Sequence, residues 1–365
     1  MKIILFSILL PLLVVFIHGN ENDEWIKVIN EKLVSTKDIF DQGSVHRLTL
    51  RKYRIMPKDI IHFMKFKDYI NLYNKTYSSK YEVKKRFRIY KKNLHAIDFW
   101  NFNEQGTAVY GETEFMDMSP NEFKSIMLPY EWDTSIRPTK LADIPSINDE
   151  SIPDAFDWRD HNAVTEVKNQ MNCGSCWAFS VTGNIEGAWA IKKGQLISLS
   201  EQELLDCDIV DQACNGGLPS QAYKEIIRIG GLESEEKYPY THEKDTCSWD
   251  SSLKSVYIND SVVLPKNETD MKVWLFKNGP ISVGVNANPL QFYRHGISHP
   301  WKMFCSPLFL NHGVLVVGYG EEKNKPFWII KNSWGPKFGE SGYYRLFRGT
   351  NVCGISEMAT SAIIN

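Results

Sequence analysis

Gln170-Met171-Asn172-Cys173-Gly174-Ser175-Cys176-Trp177-Ala178-Phe179 is the stretch from which the fold reads outward. It places a thiol behind a Cys-Gly-Ser turn, at the start of a segment with helical spacing. Trp177, Val181, Ile185, Ala188 and Trp189 recur on one face, and Gly194 supplies a stop. A cysteine in the first turn of a helix faces unpaired backbone N–H groups and the positive end of the helix dipole. Both favour thiolate over thiol. A reactive thiolate needs a base, and Leu310-Asn311-His312-Gly313 supplies one ahead of a strand-like run, residues 314–320. Lys331-Asn332-Ser333-Trp334-Gly335 follows. His312 lies 136 residues beyond Cys176, and Asn332 lies 156 beyond it. A histidine before a strand is by itself a core side chain; in the company of Cys176, Asn332 and Trp334 it reads as the base. His46, His161 and His242 have no such company.

This constellation resembles the papain-like cysteine proteases of the cathepsin group. Their signature is C-G-[SA]-C-[WY], with histidine and asparagine roughly 130–150 residues downstream. The spacing belongs to that family, and this chain matches it with Asn332 a little beyond. The resemblance implies an α+β, two-lobed papain-like fold, with a helical lobe, a β-barrel lobe and a cleft between them, preceded by a helical inhibitory prosegment. It implies Cys176 as nucleophile, attacking as a thiolate to form an acyl-enzyme. His312 would be its acid–base partner, Asn332 would orient the imidazole, and Gln170 with the Cys176 N–H would form the oxyanion hole. Trp334 would cover the histidine–asparagine bond at the substrate site. Gly216 and Gly217 resemble the family's clamp for the substrate backbone. Leu218, Pro219, Gly284, Gly313 and Met358 correspond to the walls and floor of the pocket for the second residue before the cut (P2). Apolar walls there imply Leu, Val or Phe and exclude an unpaired charge. The segment Gln291-Phe-Tyr-Arg-His-Gly-Ile-Ser298, Cys305-Ser-Pro307 and Met358 resemble the cathepsin F-like subgroup. Met171 departs from the pattern, which has glycine there, and sets a larger residue at a turn.

All seven cysteines fall between Cys173 and Cys353, and an odd number leaves one over when the rest pair. The competing reading of Cys173-x-x-Cys176 is a zinc or redox pair, but no second pair follows at ligand spacing. Resemblance implies the bridges Cys173–Cys214, Cys207–Cys247 and Cys305–Cys353, with Cys176 free. No metal and no cofactor are expected.

Met1-Lys2 followed by the apolar run 3–17 reads as a secretory signal, shorter than the roughly 20 residues of a membrane span. The address expected is the secretory pathway, ending in the lysosome or outside the cell. Sequons at Asn74, Asn259 and Asn267 are available for glycosylation there. A net charge of −2 gives no sign of a nucleic-acid partner, and no membrane partner is expected. Protein and peptide substrates, the chain's own prosegment and cystatin-type inhibitors are the partners the resemblance implies, with the protein a monomer.

Ahead of the protease, residues 61–100 read as basic helix with ten Lys/Arg against three Asp/Glu. Glu82, Arg86, Tyr90, Asn93, Ile97 and Asn101 share one helical stripe. The stripe resembles the ERFNIN pattern of cathepsin L-like prosegments, and Gly111-x-Thr113-x-Phe115-x-Asp117 resembles the GNFD element that follows it. The implied role is to block the cleft until removed. Residues 151–365 carry 20 Lys/Arg against 24 Asp/Glu, so acidification is expected to loosen the docking. The domains expected are a signal at 1–19, an unassigned extension at 20–60, an inhibitory prodomain at 61–130, an activation linker at 131–151 and a mature protease at 152–365. Within the last, a capping box at Ser200–Glu203 and a helix from about Ser220 to Ile229 precede strands over 281–285, 314–319, 327–331 and 343–347. A catalytically weak or inactive homologue serving as a binding protein is the alternative function.

Overall fold

The computed structural model describes residues 59–128, 131–133, 135–136, 140–144 and 152–365. The expected signal, all but the last two residues of the 20–60 extension, and residues 134, 137–139 and 145–151 of the linker lie outside them. The chain forms two compact units that meet in sequence after Lys91.

The first unit contains α1 (Ile60–Leu72) and the opening turns of α2 (Lys80–Phe102). Aromatic rings join them. Phe63 stands edge-on to Phe87 at 5.2 Å, and Tyr90 lies 5.3 Å from Phe66 and 5.5 Å from Tyr69. Tyr90 therefore fills a core position, as an aromatic at that point of the stripe should. Glu82 and Arg86 approach within 3.8 Å one turn apart.

The second unit begins where the same stripe turns polar. Asn93 donates to the carbonyls of Met116 (2.9 Å) and Met118 (2.7 Å). Asn101 both donates to and accepts from the backbone of Tyr110, at 2.9 Å each way. These amides tie the helix to β1 (Val109–Tyr110) and to the turn after it. Next comes α3 (Pro120–Met127), opened by a full capping box between Ser119 and Glu122.

After β2 (Phe156–Asp157) come the helices α4 (Cys176–Lys193), α5 (Glu201–Cys207) and α6 (Pro219–Ile229). Both α4 and α6 end where the sequence places glycine, with Gly194 at φ +72° and Gly230 at φ +100°. The capping box expected on α5 forms only half. Ser200 Oγ accepts from Glu203 N, but the Glu203 carboxylate turns to Glu233 N instead. Two helices went unread: α3 and α7 (Glu268–Asn278), the latter capped by the Asn267 side chain.

The sheet comprises β3 (Asp260–Val263), β4 (Ile281–Val285), β6 (Ile297–Ser298), β7 (His312–Glu322), β8 (Lys325–Lys331), β9 (Tyr343–Phe347) and β10 (Ala359–Ile363); β5 (Tyr293–His295) lies outside it. Its order is β3-β10-β4-β7-β8-β9-β6, with β2 alongside β7. The barrel expected for this lobe does not close, since the end strands β3 and β6 do not meet. The free edge of β3 is taken by residues 140–142, with Val263 N donating to Lys140 O and Ala142 N to Val263 O, both at 2.9 Å. Strand β1 pairs with β5.

Helix α4 runs against β7 and β4. A β-carbon on Gly183 would come within 2.9 Å of Leu315, so glycine sets that approach. Polar bridges fix the register: Ser180 Oγ to Val314 O at 2.7 Å, and Asn184 to both Pro280 O and Ala362 N at 2.8 Å.

Candidate active site

The helical part supplies Cys176 from the first turn of α4, and the sheet supplies His312 from the first residue of β7 and Asn332 from just past β8. His312 Nε2 lies 2.7 Å from Asn332 Oδ1. That oxygen also accepts the Ser333 N–H at 2.8 Å, so it acts as an acceptor and Nε2 must be the donor. The lone pair is thereby left on Nδ1, which is buried without a hydrogen-bond partner. Trp334 covers the imidazole at 4.8 Å, with Phe115, Phe123 and Phe338 edge-on to its own ring.

Cys176 is the free cysteine. Its thiol receives backbone N–H groups from Gly313, Trp177 and Cys176 itself, all of which ease ionisation, yet burial outweighs them and pushes it up to about 11. Burial likewise pulls His312 down to about 4, against the upward pull of Asn332. In this covered state burial favours the neutral thiol and the neutral imidazole. The helix dipole is present, but in a site covered by residues such as Phe115, Phe123 and Trp132 the loss of hydration outweighs it.

Gln170 is fully buried. Its Oε1 accepts from Ser333 Oγ (2.7 Å) and Trp334 Nε1 (3.1 Å). This aims Nε2 at Cys173 O (2.9 Å) and, more distantly, at Met127 O (3.5 Å). A carbonyl from ahead of the protease therefore lies where a donor for a developing oxyanion would point. Replacing Gln170 by alanine is expected to lower kcat about 10²–10³-fold with KM little changed. Steady-state kinetics on a peptide substrate check this. Met171 sits at φ +56°, the backbone that favours the glycine usual there, and is half exposed. The Gln170 contacts form beside it all the same.

The expected P2 pocket is occupied by a residue the sequence reading missed. Trp132 lies in the stretch assigned to the linker, and its N–H donates to Leu310 O at 2.8 Å. A β-carbon on Gly284 would come within 2.7 Å of its ring, and one on Gly313 within 3.2 Å. Leu218, Leu310 and Met358 belong to the same buried cluster, and Pro219 is buried at the start of α6. The signal available in the sequence was a lone tryptophan before a proline-rich stretch. Gly216 takes φ +115° and Gly217 packs against the Trp177 ring.

The three implied disulfides all form: Cys173–Cys214, Cys207–Cys247 and Cys305–Cys353. With Cys173 so bonded, the metal-pair reading of Cys173 and Cys176 falls away. Asn74, Asn259 and Asn267 are exposed.

A free thiol at a helix N-terminus, together with a histidine–asparagine pair carried by a sheet, is the residue set of the Cys-His-Asn class. The papain family cysteine protease profile matches residues 152–363 and the cathepsin propeptide inhibitor domain (I29) matches 66–123; the chain belongs to that family and carries the propeptide of a zymogen. It is 48% identical over 359 residues to cathepsin F of Drosophila melanogaster, covering 96% of this chain and 58% of that protein. Against cathepsin F of Mus musculus it is 52% identical over 301 residues, covering 82% and 64%. The chain thus spans about three fifths of the length of these two relatives. Among solved structures it resembles digestive procathepsin L 3 of the Tenebrio molitor larval midgut. The TM-score is 0.74 at 35% identity, covering 83% of this chain and 99% of that one.

Proposed function

We propose that the chain is the zymogen of a cysteine endopeptidase acting through Cys176, His312, Asn332 and Gln170. The observation that carries this is the 2.7 Å bond from His312 Nε2 to Asn332 Oδ1, which leaves the Nδ1 lone pair available as a base, while the N–H of the next residue, Gly313, reaches the free thiol of Cys176. With the cleft uncovered and hydrated, the Cys176 proton passes to His312. The sulfur attacks the scissile carbonyl carbon, and Gln170 Nε2 with the Cys176 N–H hold the oxyanion. As the C–N bond breaks, His312 returns the proton to the leaving amine. It then takes one from water, whose oxygen displaces the sulfur and releases the acid.

The inhibitory prodomain expected at 61–130 acts as the inhibitor together with the start of the linker, with Met127 at the oxyanion donor and Trp132 in the P2 pocket. The mature chain would begin near Ile152. A pocket that holds an indole among Gly284, Gly313, Leu310 and Met358 suits large apolar P2 residues. Peptides with Leu or Phe at P2 are expected to exceed those with Arg by more than about tenfold in kcat/KM, because the pocket offers no partner for a charge. Equal rates would remove the pocket assignment. The three disulfides and exposed sequons suit the oxidising secretory route, ending in the lysosome or outside the cell. The direct test of the whole reading is hydrolysis of a Leu-P2 fluorogenic peptide by the acid-treated chain.

A further inference from the structure

Two buried carboxylates take no part in this chemistry and sit on the loop that runs from α5 to Gly216-Gly217. Asp208 is 2% exposed and Asp211 8%. Asp208 Oδ1 accepts the N–H of Val210 (2.7 Å) and of Asp211 (2.9 Å), and Asp211 Oδ1 accepts the N–H of Leu218 (2.9 Å). The other oxygen of each, Oδ2, is buried with no donor, while the two carboxyl groups lie within hydrogen-bonding reach of each other. Two buried carboxyl groups that act on one another, each with an oxygen lacking a donor, are satisfied by one proton between them.

The surrounding charges leave room for that proton. Glu225 of α6 bears on Asp211 and accepts the Ile209 N–H at 3.1 Å. Arg228 bears on Asp208, but its guanidinium is held by Glu225 at 2.8 Å and by Cys207 O at 2.9 Å. Burial first, then the Asp208 charge, pushes the Asp211 carboxyl up to about 8.

The pair is also joined to the loop. A β-carbon on Gly217 would lie 2.8 Å from Asp211 Cγ and 2.6 Å from the Trp177 ring, so the backbone there is seated against the carboxyl. Gln212 N closes the loop onto Gly216 O at 2.8 Å.

We propose that Asp208 and Asp211 share one proton, and that this proton positions the Gly216-Gly217-Leu218 backbone to receive substrate. Both are positioning residues, and the inference rests on the clamp role proposed for that loop. Loss of the proton sets two like charges against each other, and Asp211 then presses on the loop through Leu218 and Gly217.

The sign for stability follows from linkage. A carboxyl raised from an unfolded value of about 3.9 to about 8 stabilises the fold fully below the lower value, and that contribution is lost as pH rises through the window. Asparagine at 211 keeps the Oδ1 acceptor, supplies a donor to Asp208 and cannot ionise. In the full chain, the Tm of Asp211→Asn should gain on wild type between about pH 5 and pH 8. Asp208→Asn should do the same. A Tm difference independent of pH in both variants overturns the shared proton.

In the acid-treated chain, the KM of wild type should rise several-fold from about pH 7 to pH 9, and that of Asp211→Asn should stay level while kcat falls alike in both. Identical KM profiles overturn the coupling to the loop. Absence of turnover in wild type counts against the protease reading, and the Tm comparison still decides the proton.

Discussion

Replacing Cys176 by serine is expected to abolish peptide hydrolysis, lowering kcat/KM on the order of 10⁶-fold, and to leave the full-length chain uncut after acid treatment. The exchange swaps sulfur for oxygen at a fully packed position, so the fold should persist. What disappears is an atom that His312 can ionise, because a serine hydroxyl is far less acidic than a thiol. The assay is hydrolysis of a Leu-P2 fluorogenic peptide, with electrophoresis of the acid-treated chain alongside. A loss smaller than about tenfold would move the nucleophile elsewhere. The buried pair adds a second readout. With the thiol pushed up to about 11 and the imidazole down to about 4, iodoacetamide should label the uncut chain slowly near neutral pH. The matured chain should be labelled fast and at a single site.

Substituting Trp132 by alanine should release much of the self-inhibition. The ring is 4% exposed and seated on Gly284 and Gly313. Truncating a buried tryptophan costs about 3–5 kcal/mol. Here that cost falls on the covered form alone, because an open cleft no longer holds the ring. The fraction of open, uncut chains should rise by about two to four orders of magnitude, read as the rate of Cys176 alkylation before any cleavage. A rate within about threefold of wild type would show that Met127 and the aromatic contacts on Trp334 close the cleft without it.

Much of the site was legible because its parts are local or spaced by motif. Cys176 opens a helix whose apolar period and glycine stop stand in the sequence, and the structure returns it as Cys176–Lys193. His312 and Asn332 sit beside apolar runs of strand period. Short, late-pairing elements escaped. β3 and β10 become strands by pairing with each other, and β10 also with β4, over few residues. The 11-residue α7 escaped although Asn267 caps it. The closed barrel failed as an expectation because edge pairing depends on which chain arrives at the edge, and residues 140–142 arrive at β3.

By itself the sequence determined the family, the free sulfur among seven cysteines, and the helix, base and amide that surround it; these follow from residue type and order. Only the tertiary structure decided how deeply that sulfur and imidazole are buried, that the Trp132 ring lies against Gly284 and Gly313, and that Asp208 and Asp211 are buried beside Gly217. Each of these depends on how much water is removed from a group and on what faces it, and burial is settled by chain segments far apart in sequence.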